Sequence, residues 1–352
     1  MKLLIYTFSL AFLALLAGCG ASQDKKSAFK IKSKVNFNSI QQNSSIEFRV
    51  ESNKQYKMDS IHVFLNQKKL VYIENQLQIP DVQIGNHSLD VKVYASNELH
   101  ELRKKIRILS DKPAKLWDYE VLASYDHDTN KYTQGLEFVG DTLYESTGQV
   151  GNSYIFAYNP FTGESFQKQE LQPPFFGEGI TLWDNRLIQL TWKGSKGFTY
   201  DKNTLKPTGD FSYNKSKEGW GLSHDQNYIY KSDGTEKIWK LSPENLEEQS
   251  FIQLGTNKSL FKNANELEIV GDKIFANVYL KESVMVIEKN TGVIEGILNF
   301  AELKKEITKD ENWDENNSVL NGIAYHNRRK SFFITGKNWN KIFEVRIYPP
   351  SE

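Results

Sequence analysis

Five short segments of this 352-residue chain begin on a polar or aromatic side chain next to glycine or an acid. They are Gln134-Gly135-Leu136, Glu178-Gly179-Ile180, Trp220-Gly221-Leu222, Asn265-Glu266-Leu267 and Asn321-Gly322-Ile323. A purely structural demand would repeat one residue type at equivalent positions. Unlike residues there suit a composite pocket instead. A second set follows each opening residue by 13 to 16 positions: Trp192, Asp233, Tyr279 and Lys337, with Glu145-Ser146-Thr147-Gly148 in the first segment. Glu178 stands between two glycines, after Pro173, Pro174, Phe175 and Phe176. Apolar crowding strips water from a carboxylate, disfavours its charge and raises its pKa. Such a group is a candidate to accept and return a proton near neutral pH.

The elements that position these residues repeat with them. After each opening segment come a turn, an apolar strand and a third strand; in four segments a further polar turn follows. The apolar strands are Leu143-Tyr144, Leu187-Ile188, Tyr228-Ile229-Tyr230, Ile274-Phe275 and Phe332-Phe333-Ile334. Units of ~40–50 residues, each with about four strands, are the signature of a propeller. Stacked units bury a shared core. The spacing therefore predicts an all-β chain with a five-bladed β-propeller over residues 112–352. The last interval is longer and carries a charged stretch, Phe300 to Asp314, which reads as a helical insertion. The fifth unit lacks its outer strand, which Tyr119 to Tyr125 can supply. Upstream, residues 28–111 alternate apolar and polar side chains, as in Ser45 to Val50 and His87 to Tyr94. Period-two alternation predicts half-buried strands, here a small β-sandwich of Ig-like architecture serving as a spacer or docking module.

Lysine and arginine total 44, as do aspartate and glutamate, so formal net charge is zero. No nucleic-acid partner is implied. Cys19 is the sole cysteine, which excludes an internal disulfide and Cys/His zinc patterns. It follows Lys2, an apolar run from Leu3 to Leu16, and Ala17-Gly18. That order reads as a lipoprotein signal over residues 1–18, with Cys19 lipidated and residues 19–27 a tether. The expected location is a bacterial membrane surface after export, in the periplasm or at the outer membrane. Gly20 lacks the aspartate of an inner-membrane retention signal, which favours the outer membrane.

Taken together, Tyr132-Thr133-Gln134-Gly135-Leu136, Phe176-Gly177-Glu178-Gly179, Leu190-Thr191-Trp192-Lys193, Glu218-Gly219-Trp220-Gly221-Leu222, Asn265-Glu266-Leu267-Glu268 and Leu320-Asn321-Gly322-Ile323 resemble the motif set of the plant-type and bacterial glutaminyl-peptide cyclotransferases. The resemblance covers about residues 117–348, in order. It implies a five-bladed propeller enzyme, expected to be a monomer, that converts N-terminal glutamine of peptides to pyroglutamate and releases ammonia. The pocket it implies is Tyr132, Gln134, Phe176, Glu178, Trp192, Trp220, Asn265, Tyr279 and Lys337. Glu178 matches the catalytic glutamate. Lys337 or Asn265 would serve the carbonyl oxygen, and Gln134 the substrate amide. Tyr132 stands where the family often has Phe, and Tyr279 where it has Trp. No cofactor is required, although a structural cation could occupy the channel. The competing readings are a propeller that binds peptide or sugar without catalysis, and a scaffold whose sandwich docks a partner.

Overall fold

The structure, a computed structural model, describes residues 28–53, 56–311 and 313–351. Cys19 and the signal segment lie outside the described residues. No helix among the described residues is long and apolar enough to cross a membrane. The described residues are all-β apart from one short helix.

In the N-terminal part, Gly85–Ala95 and Glu98–Leu109 form a long hairpin, turned by Ser96 and Asn97 with φ of 50° and 64°. Met58–Leu65 pairs with the hairpin in a five-stranded sheet. Two smaller sheets share its core, in which Phe29, Phe48 and Leu77 meet Val63, Val91 and Ile106. Backbone bonds join this part to the remainder: Ile84 N donates to Thr291 O at 2.9 Å, and Ser110 N to Thr256 O at 3.3 Å. Asn86 N donates to Gln253 Oε1 at 2.7 Å.

The rest of the chain builds five antiparallel sheets in sequence. Their first strands are Thr133–Val139, Gly177–Trp183, Leu222–His224, Ala264–Val270 and Leu320–His326. Each first strand touches the next, and the fifth touches the first, so the strands close a circle. The fifth sheet takes its outer strand from upstream: Asp118–Asp126 pairs with Lys341–Tyr348. A short strand at Lys115–Leu116 also adds, in parallel, to the fourth sheet.

Both faces of each sheet are covered, and strand alternation explains how. In the second strands, Leu143 and Tyr144 enter different apolar clusters, as do Leu187 and Ile188, Ile229 and Tyr230, Ile274 and Phe275, and Phe332 and Phe333. Each cluster joins two neighbouring sheets. The adjacent apolar pairs in the sequence are thus inter-sheet glue rather than one buried face.

The stretch from Phe300 to Asp314 is not a helical insertion. Among its described residues only Ala301–Lys305 is helical, with no side-chain cap at its start. Beyond it, Thr308 N turns aside to Asn340 Oδ1 at 3.0 Å, and Asp314 gathers Asn316 N and the Asn317 amide into a turn.

Phe333 lies fully buried where the fifth sheet meets the first, 4.8 Å from the Phe138 ring and 5.9 Å from that of Tyr125. Phe333→Ala should cost about 3–5 kcal/mol in urea unfolding, from lost burial and a residual cavity. A loss below about 1 kcal/mol would contradict a packed closure of the circle.

Candidate active site

In an antiparallel pair, the start of one strand lies beside the end of the next. In four sheets the register slips there: between Thr133 and Gly135, Gly177 and Ile180, Ala264 and Leu267, and Leu320 and Ile323. A bulge leaves its extra residue out of the ladder and re-aims its side chain. The bulges hold Gln134, Glu178, Asn265 and Asn321. In the third sheet, Trp220 sits just before the strand, bonded from its N to Ser232 O at 3.1 Å. Gly221 fits there because a Cβ would run into the Asn265 carbonyl oxygen. The second strands end beside these bulges and deliver Trp192, Tyr279 and Lys337.

All nine residues singled out from the sequence line one cavity of about 320 Å³: Tyr132, Gln134, Phe176, Glu178, Trp192, Trp220, Asn265, Tyr279 and Lys337. Asn317 completes the wall. Asp233, which follows its opening residue at a similar interval, does not. It accepts from Trp239 Nε1 at 2.7 Å and caps the turn at Thr235.

The walls are aromatic. Phe176 meets Trp192 at 5.7 Å and Tyr132 at 6.2 Å, both edge-on, while Trp220 and Tyr279 lie 5.1 Å apart. Gly148 makes room for the Phe176 ring, which a Cβ would strike. Glu218, overlooked as a site residue in the sequence, ties two walls together. Its Oε2 accepts from Trp192 Nε1 and from Trp220 Nε1, each at 2.9 Å. Tyr132 is held from both flanks, since Lys131 Nζ and Thr133 Oγ1 both donate to buried Glu145, at 2.9 and 2.7 Å. Burial pushes the Tyr132 hydroxyl up to about 12, helped by Tyr279 and Glu178.

A relay of carboxamides runs beneath the walls. Asn265 Nδ2 donates to Asn321 Oδ1 at 2.9 Å, and Asn321 Nδ2 donates to Gln134 Oε1 at 2.9 Å. With its oxygen so engaged, Gln134 turns its NH₂ toward Glu178 and donates to that carboxylate. Both ends of Gln134 are therefore used within the protein, which suits it to holding Glu178. Asn321 was legible as a repeat position but not as this link.

Glu178 is 4% exposed and Lys337 is 3% exposed. Burial raises the Glu178 carboxyl well above the usual carboxylate range; Lys337 opposes the rise, Glu218 adds to it and Gln134 opposes it. Burial lowers the Lys337 ammonium to about 8, against the pull of Glu178. The Lys337 nitrogen also lies 4.7 Å from the Tyr132 ring centre and 5.6 Å from that of Tyr279. The cavity lining thus holds a basic carboxylate and, within electrostatic reach of it, an ammonium that gives up its proton easily.

A family model for glutamine cyclotransferases matches residues 93–347 of this chain. The chain belongs to the glutamine cyclotransferase family. It is 32% identical over 231 residues to the glutaminyl-peptide cyclotransferase of Arabidopsis thaliana, covering 65% of this chain and 71% of that protein. The crystal structure of glutaminyl cyclase from Myxococcus xanthus superposes with a TM-score of 0.61 at 27% identity, over 68% of this chain and 100% of that one. The family match spans all five sheets, and hence every residue of the cavity.

The two buried charges cost stability at neutral pH. Glu178 is raised, so the native state holds its proton above the unfolded value, and stability falls as pH rises through that window. Lys337 is lowered to about 8, so stability is regained as pH rises from there toward the ordinary lysine value. Replacing both with neutral groups of similar size, as Glu178→Gln with Lys337→Met, should stabilise the fold by about 1–4 kcal/mol at pH 7. Denaturant unfolding across pH checks this. A less stable double variant would contradict the cost assigned to the pair.

Proposed function

We infer that the chain is a glutaminyl-peptide cyclotransferase, closing N-terminal glutamine of peptides into pyroglutamate with release of ammonia. The observation that carries this reading is the buried Glu178–Lys337 pair at the floor of an aromatic pocket, within a chain of this family. A pocket for binding alone gains nothing from two costly charges, so catalysis is favoured over a passive peptide or sugar binder.

The nucleophile and electrophile belong to one residue, so the enzyme has to curl the side chain and move protons. The substrate α-ammonium has an ordinary pKa of about 8. Glu178, made more basic by burial, takes its proton. The freed amine attacks the side-chain carbonyl carbon, forming a C–N bond while the oxygen gains negative charge. Lys337 donates to that oxygen. Asn265 gives one amide hydrogen to Asn321, leaving its other for the same oxygen. Glu178 then returns the proton to the side-chain nitrogen, the original C–N bond breaks, and the ring nitrogen gives its second hydrogen through Glu178 to the departing ammonia, which leaves as ammonium. Trp192, Trp220 and Tyr279 shield the reaction from water. Gln134 and Phe176 hold the carboxylate and the ring wall, and Tyr132 adds to the aromatic lining. Every proton in this sequence moves through a protein group; a cation in the channel would be structural.

The same reading extends to architecture and location. The five sheets are the blades of a propeller over residues 112–352, a reading supported by the circle of first strands and the five inter-sheet clusters. Residues 28–111 form an Ig-like β-sandwich in front of it, supported by two facing sets of strands around one core. Cys19 carries the lipid that holds the exported, monomeric enzyme on a bacterial membrane.

Ammonia release from a Gln-initiated dipeptide tests the activity. The soluble fragment beginning near Ala21 should release it, and Glu178→Gln should lower the rate by about 10²–10⁴. Folded native protein without release, or full activity in the variant, would contradict the reading.

A further inference from the structure

A second cavity adjoins the pocket. Tyr132 and Asn317 line both. The second cavity, of about 390 Å³, is walled otherwise by Asn130, Gln149, Asn152, Asp314 and Asn338. Its walls come from separate loops that are cross-tied. Asn338 Nδ2 donates to Thr129 O at 2.7 Å, and Asn338 N donates to Lys131 O at 2.9 Å. Asn152 N donates to Gln149 O at 2.9 Å, and Asn317 Nδ2 to Asp314 Oδ2 at 2.6 Å.

The size of the first cavity matters. About 320 Å³ is at the small end of ligand sites, enough for one curled residue. The α-amine and the side chain of the glutamine both turn inward, toward Glu178. Its carbonyl, and the chain attached to it, must leave the pocket. Beyond the wall that Tyr132 and Asn317 share lies the second cavity.

The chemistry of that shelf is specific. Carboxamides offer both a donor and an acceptor, the pattern that a peptide backbone answers whatever its side chains. The one charge on the walls is Asp314, close enough to Tyr132 to help raise its hydroxyl pKa. Glu315, next to it in the chain, carries a charge of the same sign. Lys131 is committed to buried Glu145, and Lys309 to Glu315 at 2.7 Å.

We propose that this shelf is the subsite for the residues following the N-terminal glutamine, holding their backbone through carboxamides and favouring lysine or arginine side chains over acidic ones through Asp314. The proposal rests on the cyclotransferase reading. The test is kcat/KM for Gln-Lys-Lys, Gln-Ala-Ala and Gln-Glu-Glu peptide amides, with native enzyme and with Asp314→Asn. Asparagine keeps the oxygen that accepts from Asn316 N and gives up the bond from Asn317 Nδ2, while the backbone bonds from Asn317 N and Ser318 N to the Asp314 carbonyl hold the turn. At low salt the native enzyme should prefer the lysine peptide to the glutamate peptide by about 2- to 10-fold, as expected of exposed charge pairs. The preference should shrink at ~1 M salt, where the screening length is about 3 Å. In Asp314→Asn the ratio should fall toward one. Equal kcat/KM for the lysine and glutamate peptides in native enzyme, or a preference that persists in Asp314→Asn, would overturn the subsite while leaving the activity intact. No turnover of any peptide, Gln-Ala-Ala included, would overturn the activity and the subsite together.

Discussion

The site depends on placing Glu178 and Lys337 in one cavity with little of either exposed to water. Neither charge would be chosen for stability, since removing ions from water costs several kcal/mol each and is repaid only in part by their attraction. What the arrangement yields is reactivity. A carboxylate that binds a proton more tightly than usual can lift one from an ammonium near neutral pH. An ammonium held at about 8 can donate strongly to a developing oxyanion. The walls enforce this environment, and Glu218 links two of them while raising Glu178 further.

The rest of the molecule can be understood as the means of holding that pair. The circle of first strands brings residues distant in sequence to one mouth, and the bulges turn them inward. Glu266 binds the circle from within, accepting from Leu136 N at 3.2 Å and from Ile323 N at 2.8 Å. Its carboxyl thereby ties the first, fourth and fifth sheets together. Apolar clusters on both faces of the sheets make the circle stiff, so the floor does not have to be paid for by local rigidity alone.

Much of this was legible in the sequence because the repeat carries its own register. Adjacent apolar pairs such as Leu187-Ile188 marked a strand of each repeat. The unlike residues at Gln134, Glu178, Trp220 and Asn265 marked where the strands open. Less legible were contacts between sheets. Nothing in the spacing reveals that Glu218 reaches Trp192, or that Asn321 connects Asn265 to Gln134, because these links depend on the angle between sheets. Asp233 shares the register of the pocket residues, yet its carboxylate is drawn away by Trp239. The stretch after Phe300 has helical composition, but tertiary partners such as Asn340 take its backbone donors before a helix can extend.

The most direct test of the account is the titration of Glu178 itself, followed by carbon NMR of glutamate labelled at the side-chain carboxyl, with Glu178→Gln used to assign the resonance. The account predicts a midpoint well above the ordinary carboxylate value of about 4.3, moving down in Glu218→Gln, where a neighbouring like charge is gone. A Glu178 that titrates as an ordinary exposed glutamate, unmoved by Glu218→Gln, would contradict it.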